Sequence, residues 1–535
     1  MQNEPAAVTR RRRLAEGFER LRKGDLEGAA ACRDLLLTES PADAEIRYFA
    51  TEVCIAQGLL AEASEHIGHA IAAAPGQWPL VLKRARILLA QRRRDDFRRA
   101  AVEASELAGC DPFALWEVGR AYMGCDDPEA ARPLFERAIG SGGDDAALHL
   151  DLATAQFFAG EFDQAERSLE VALARAPRMG EAVYLRSTLR RQRAERNHVG
   201  DLQARLQSVG GDPSARAAVL YALAKELEDL GDYEASIRAL LEGAALKHAQ
   251  LGYDVADEIA SIDAIGSAYD ADALSRLADG VEGEGAIFIV GMPRSGTTLV
   301  ERMLDRVPGV RSAGELMDFK QVLGDAARHA HAANPALSMV QASMTIDFDG
   351  LGREYMRGAR EAAFGAAVFI DKMPVNFLYC GLIAKALPSA RILHLVRDPM
   401  DAGYAVFKTL FNQAYFFSYE QTQLADYLAC YHRIMAHWHA QMPGRILDVR
   451  YESLVTDTEA EARRVLDFCG LEWRPEVLSP DANARPSTTA SAAQVREPVH
   501  PRSVGRWRQV ANGLEPLRAR LQQHGLVDAE GGSVP

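Results

Sequence analysis

Two kinds of apolar pattern divide this chain. From about Arg12 to Lys247, apolar residues come at helical spacing, as in Leu134-Phe135-x-x-Ala138 and Leu169-x-x-Ala172, and the segments between them are glycine turns. From Ala286 onward, short runs rich in β-branched residues appear instead: Ala286 to Val290, Val368 to Ile370, Arg391 to Val396 and Arg445 to Val449. A run that short and apolar on both faces predicts a strand buried in a parallel sheet. Glu459 to Cys469 reads as an amphipathic helix with Val465, Leu466 and Phe468 on its apolar side. The predicted fold class is therefore α followed by α/β. A helical array covers 12–250 and a linker covers 251–285, ending in Asp279-Gly-Val-Glu-Gly-Glu-Gly285. An α/β domain covers 286–527.

The first part repeats. Gly24-Asp-Leu-Glu-Gly-Ala29 returns in kind as Gly58-Leu-Leu-Ala-Glu-Ala63, as Gly160-Glu-Phe-Asp-Gln-Ala165 and as Gly231-Asp-Tyr-Glu-Ala235. The first two glycines are 34 residues apart, as are Pro41 and Pro75. This period and composition resemble the tetratricopeptide repeat, an α-solenoid of stacked helical hairpins. Small residues stand where paired helices approach closely, and prolines such as Pro177 stop the second helix. Around Arg92–Ala100 and Arg190–Gly210 the pattern fades, so the sequence does not fix the repeat count. Such an array offers a concave groove for a peptide or protein partner, or serves as a scaffold or dimerisation arm. Tyr122, Phe157, Phe158 and Tyr184 read as core aromatics.

The candidate chemistry begins at Ala286. After the first apolar run, Gly291-Met-Pro-Arg-Ser-Gly296 cannot continue a strand, and Leu299, Met303 and Leu304 then recur at helical spacing. In a strand–loop–helix unit the helix N-terminus presents free N–H groups to an anion. The two glycines have the spacing of a Walker A loop, but Thr297 and Thr298 stand where its lysine belongs. The loop's cation is Arg294. The absent lysine speaks against a nucleoside triphosphatase or P-loop kinase. Amides, hydroxyls and one guanidinium suit a less charged group such as a phosphosulfate.

Composition narrows the field. The 535-residue chain carries a net charge of −14, which excludes general nucleic-acid binding and requires a local basic cluster for any polyanion. Seven scattered cysteines without a C-x-x-C pair predict reduced thiols, with no disulfide framework and no zinc site, and neither an acidic metal pair nor a Cys/His cluster accompanies the loop, so no metal is expected. The N-terminus is polar and then basic at Arg10–Arg13, and no run of 18 apolar residues occurs. The expectation is a cytoplasmic protein with neither a signal peptide nor a membrane span.

Pro293-Arg294-Ser295-Gly296-Thr297-Thr298 resembles the 5′-phosphosulfate loop of sulfotransferases. It is most similar to the tyrosylprotein sulfotransferase-like branch and to bacterial proteins that join such a domain to tetratricopeptide repeats. The resemblance covers Ala286 to about Leu526. It implies 3′-phosphoadenylyl sulfate as donor, a hydroxyl acceptor and no metal. Arg294, Ser295, Gly296, Thr297 and Thr298 are then the phosphosulfate cradle. Glu315, in Ala313-Gly-Glu315, is the expected general base, and a carboxylate does this work when partial burial raises its pKa or a cation orients it. Lys372, at a strand end, faces the bridging oxygen. Arg397, in Arg397-Asp-Pro399, grips the 3′-phosphate. Tyr451 lies near the adenine. Ser491 and Arg506 belong to a C-terminal lid over the nucleotide. Where the family has a serine for the 3′-phosphate, this chain has Ala405, with Tyr404 and Lys408 as candidate substitutes. His329 and His331 are an alternative source of the base, as in the small-molecule branch. Protein tyrosine, a sugar or a small molecule all fit as acceptor. The rival expectation is a repeat scaffold whose second domain has weakened catalysis.

Overall fold

The computed structural model describes residues 6–411 and 413–534. The described residues fall into two compact units that divide between residues 155 and 156.

The first unit is built from helical hairpins: Ala6–Arg22 with Leu26–Glu39, Ala44–Ala56 with Leu60–Ala73, Trp78–Ala90 with Arg94–Ala108, and Pro112–Met123 with Pro128–Gly140. Each hairpin turns at a residue with positive φ: Gly24, Gly58, Arg92 and Asp126, spaced 34 residues apart. Gly160, after the helix Ala146–Ala159, continues the series. Arg92 and Asp126 hold the left-handed conformation without glycine's freedom, at a cost of about 1 kcal/mol each. Five residues past each stop comes a fully buried side chain: Ala29, Ala63, Phe97, Ala131 and Ala165. The repeat that fades in sequence therefore keeps its geometry with an arginine for the glycine and Phe97 for the alanine.

The second unit holds further helices, including Phe162–Arg175, Gly180–Thr188, Val199–Ser208, Pro213–Leu230 and Tyr233–Leu251, and then a five-stranded parallel sheet. Its strands are β1 (Ala286–Gly291), β2 (Val310–Ser312), β3 (Val368–Asp371), β4 (Arg391–Val396) and β5 (Ile446–Arg450). The spatial order is β2-β3-β1-β4-β5, with every pairing parallel. β1 is central and wholly buried because both faces are covered. Ile287 and Ile289 pack with Val300, Met303 and Leu304 on one side. Phe288 turns to the other, where it meets Phe319 and stacks on Tyr355. The edge strand β2, three residues long, carries too short a pattern to have been predicted.

Residues 251–285 contain two helices, Ala256–Ala268 and Ala271–Arg276. They are tied into the unit: the Tyr269 hydroxyl lies 2.7 Å from Ser343 Oγ, and Arg433 pairs with Asp263 at 3.0 Å. Among the described residues no helix is long and apolar enough to cross a membrane.

Candidate active site

All five strands run the same way, so their C-terminal ends form one edge, where α/β sheets bind ligands. Five of the residues expected to act follow those ends. β1 runs into the Arg294 loop, β2 into Gly314-Glu315, β3 into Lys372, β4 into Arg397 and β5 into Tyr451.

The loop closes with Arg294 at φ +65 and Gly296 at φ +104. A Cβ on Gly296 would stand 2.7 Å from Tyr451 Cδ2, so glycine is required both by conformation and by the ring packed on it. The Ser295 hydroxyl donates to the Met292 carbonyl at 2.7 Å and braces the turn. Gly296 is the N-cap of the helix Thr297–Leu304, whose first amides point back toward the loop. Thr297 and Thr298 are buried, with Thr298 Oγ1 3.5 Å from Thr489 Oγ1.

Two guanidiniums meet above this loop. Arg294 donates from Nη1 to Ser491 Oγ and from Nη2 to Gln494 Oε1 at 2.6 Å. Arg397 donates to the carbonyls of Arg294 and Ser503, both at 2.8 Å, and lies over the Tyr451 ring at 4.6 Å. Among the described residues neither has a carboxylate partner within ion-pair distance, and the Nε of each is buried without an acceptor. Burial, with Arg397 alongside, pushes the Arg294 guanidinium down from the usual arginine range. A pair of cations whose hydrogen bonds go to neutral oxygens keeps its charge available to an anion.

Lys372 is fully buried and bonds to Glu315 Oε1, while Glu301 Oε2 lies 3.7 Å away. The Glu315 side chain remains one-third exposed, so it reaches both the ammonium and the surface. Next in sequence, Asp371 accepts from the Tyr355 hydroxyl at 2.8 Å, and burial pushes its carboxyl up to about 8.

Residues 286–475 match the sulfotransferase family profile. Residues 123–189 match the tetratricopeptide repeat. An uncharacterised protein of Aquifex aeolicus (strain VF5) is 28% identical over 330 residues, covering 60% of this chain and 43% of that one. The protein-tyrosine sulfotransferase of Drosophila melanogaster is 25% identical over 241 residues, covering 41% of this chain and 46% of its own. The chain thus spans less than half the length of either relative. Among solved structures, the sulfotransferase domain of the Synechococcus PCC 7002 olefin synthase is 18% identical, covers 45% of this chain and 95% of that domain, and has a TM-score of 0.33.

The match to the sulfotransferase family profile thus ends before Ser491, Gln494 and Ser503, the tail residues that touch the two arginines. Arg506 is placed differently from the rest of the expected set. Its Nε pairs with Glu228 Oε1 at 3.0 Å, and its plane lies over Tyr233. Lys408 meets both oxygens of Glu228 at 2.9 Å and lies over the Tyr404 ring. Both candidate substitutes for the hydroxyl missing at Ala405 are therefore turned toward Glu228, on the helix Pro213–Leu230. His329 and His331 sit more than ten residues along the helix Asp318–Ala333, bonded to the carbonyls of Asp325 and Leu337.

Glu301 and Glu228 went unnoticed in the sequence, while Gln494 and Ser503 lie in the tail read as a lid without a role of their own. Only Glu301 had a signal there, its i+4 spacing from Thr297 on one helix face. Among the described residues, one group has metal-ligand composition: His394, His439 and Asp448. His394 Nδ1 and His439 Nε2 meet Asp448 Oδ1 at 2.7 and 2.8 Å, which are hydrogen-bond lengths. Against the upward push of burial, these imidazoles hold Asp448 well below the usual carboxylate range. Its members lie 54 and nine residues apart, too scattered to be grouped from the sequence.

Proposed function

We propose that residues 286–527 move a sulfuryl group from 3′-phosphoadenylyl sulfate to a hydroxyl acceptor, and that the repeat array binds the acceptor or a protein partner. The observation that carries this is the pair Arg294 and Arg397. They are two carboxylate-free guanidiniums with buried, unanswered Nε atoms, at the ends of adjacent strands and beside the loop amides.

The residues fit the donor. Arg294, Thr297, Thr298 and the amides from Ser295 to Thr298 would hold its phosphosulfate, and Arg397 its 3′-phosphate. Tyr451 and Ser491 flank that position, and Arg506 supports it from the Glu228 side. When bound, the donor supplies the sulfuryl group and a stable phosphate leaving group. Glu315 takes the acceptor hydroxyl proton. The acceptor oxygen forms the new bond to sulfur, and the sulfur–oxygen bond to phosphate breaks with its electron pair going to the phosphate. Lys372 meets the charge that grows on that oxygen. The Lys372–Glu315 contact supports this division of labour, because the cation holds the base in place. Protein tyrosine is the acceptor to test first, because the Drosophila relative is named for it.

The test is transfer of labelled sulfate from the donor to tyrosine peptides, sugars and small phenols, alongside calorimetry with adenosine 3′,5′-bisphosphate. Saturable binding and transfer, both lost in Arg294→Ala, are expected. Transfer that survives Arg294→Ala, or no heat with the nucleotide, overturns the proposal. A second reading, a scaffold with weakened catalysis, draws on Ala405 and on the turning of Tyr404 and Lys408 to Glu228. Nucleotide binding without transfer to any acceptor favours it.

A further inference from the structure

Sulfuryl transfer as described gives no task to the buried carboxylate of Glu301, beside Lys372. Glu301 lies one helical turn past Thr297, on the same face of the loop helix. It is nearly fully buried and reaches two places at once. Its Oε2 is 3.7 Å from Lys372 Nζ. Its Oε1 accepts from the Ser312 hydroxyl, which itself accepts the Gly314 N–H at 3.1 Å. The Gly314 carbonyl then accepts the Lys372 N–H at 3.0 Å. One carboxylate therefore faces the ammonium and, through one hydroxyl, fixes the turn that carries Glu315. Burial pushes the Glu301 carboxyl up, while Lys372 and Ser312 pull it back and Glu315 and Asp305 add to the rise. Asp305 is matched by Arg485.

Lys372 sits between two carboxylates, in contact with Glu315 and farther from Glu301. Glu315 is the partner that must let go. Once it holds the acceptor proton it is neutral, and its grip on the ammonium falls to that of an ordinary hydrogen bond. A fully buried ammonium without a counter-ion is costly, and this is the moment when charge grows on the leaving oxygen.

We propose that Glu301 is the positioning counter-ion of Lys372, holding the ammonium at the sulfuryl site while Glu315 carries the acceptor proton. This rests on the sulfuryl-transfer reading and adds a residue to it. Glu301 gains and loses no atom in the cycle.

The test uses the full chain with Glu301→Gln, Lys372→Ala and the double variant. Glutamine keeps the shape and the acceptor for Ser312 and removes the charge. Glu301→Gln is expected to lower kcat roughly tenfold to a hundredfold and to change the Kd for adenosine 3′,5′-bisphosphate by less than about threefold. In the Lys372→Ala background the same change is expected to cost less than about threefold, because nothing remains to be positioned. Glu301→Asp is expected to recover part of the lost kcat. Losses that add in the double variant mark a packing role and overturn the inference, as does a wild-type kcat in Glu301→Gln. Failure of the nucleotide to bind the wild-type protein overturns the sulfuryl-transfer reading instead, and shows before any variant is made.

Discussion

Arg397 donates a hydrogen bond from Nη1 to the main-chain carbonyl of Arg294, at 2.8 Å. The guanidinium from the β4 end thus holds the backbone of the loop leaving β1 at its one left-handed arginine. Arg397→Ala is expected to weaken adenosine 3′,5′-bisphosphate binding by about 1.5–3 kcal/mol, or roughly ten- to 150-fold, because a charged contact and a loop brace are lost together. Arg397→Lys is expected to restore only part of this, since an ammonium cannot serve the Arg294 and Ser503 carbonyls in one plane. Calorimetry on the three proteins measures both.

Gly296→Ala is expected to disturb the same loop from beneath. The new methyl would meet the Tyr451 ring at 2.7 Å and force an alanine to φ +104. Strain of about 1–3 kcal/mol is the expected cost. It should appear as a lower unfolding midpoint and as lost nucleotide affinity. An unchanged affinity would mean that the loop backbone is not part of the binding surface.

Glu228 gathers two cations, Lys408 and Arg506, from segments 180 and 278 residues away. Glu228→Gln leaves them facing each other without a counter-charge. Both cations are partly exposed, so the expected loss is about 2 kcal/mol, below the range for a fully buried pair. A urea unfolding midpoint reads it. Nucleotide binding should weaken as well if Arg506 takes part in it.

Asp371 makes stability depend on pH in an uncommon direction for a carboxylate. Burial raises its folded value to about 8, so over much of the range the folded state holds a proton that the unfolded chain has released. The stability this contributes is full below about pH 4 and is lost as pH rises from there through about 8. Asp371→Asn, which cannot ionise, is expected to flatten that decline. Thermal midpoints of the two proteins at pH 5 and pH 8.5 test it.

Much of this architecture was legible because it rests on local rules. The buried β1 run, the Gly-Pro-Gly loop and the helix after it each follow from a few neighbouring residues, and the repeat announces itself at Gly24 and Gly58. The stops at Arg92 and Asp126 were not legible, because a period written in backbone conformation had lost its glycine marker. The helices of 256–276 look like polar spacer text because much of their surface is exposed, and only the contacts of Tyr269 and Asp263 tie them down. Within the site, Arg294, Lys372, Arg397 and Tyr451 follow strands that the apolar pattern shows, whereas Glu315 follows the unpredicted β2 and was reached only through the family resemblance. Glu301 and Glu228 act through partners far away in the chain, and no spacing rule reaches that far.

The hold of Ser491 and Gln494 on Arg294 has a consequence for any binding measurement. These residues lie 197 and 200 positions beyond the arginine, yet they already engage its side chain. An anion that reaches Arg294 therefore meets a guanidinium whose two Nη groups already have neutral acceptors. The affinity read in solution is the strength of the new contacts minus that of any old ones they replace, so a segment about 200 residues along the chain sets part of the loop's affinity.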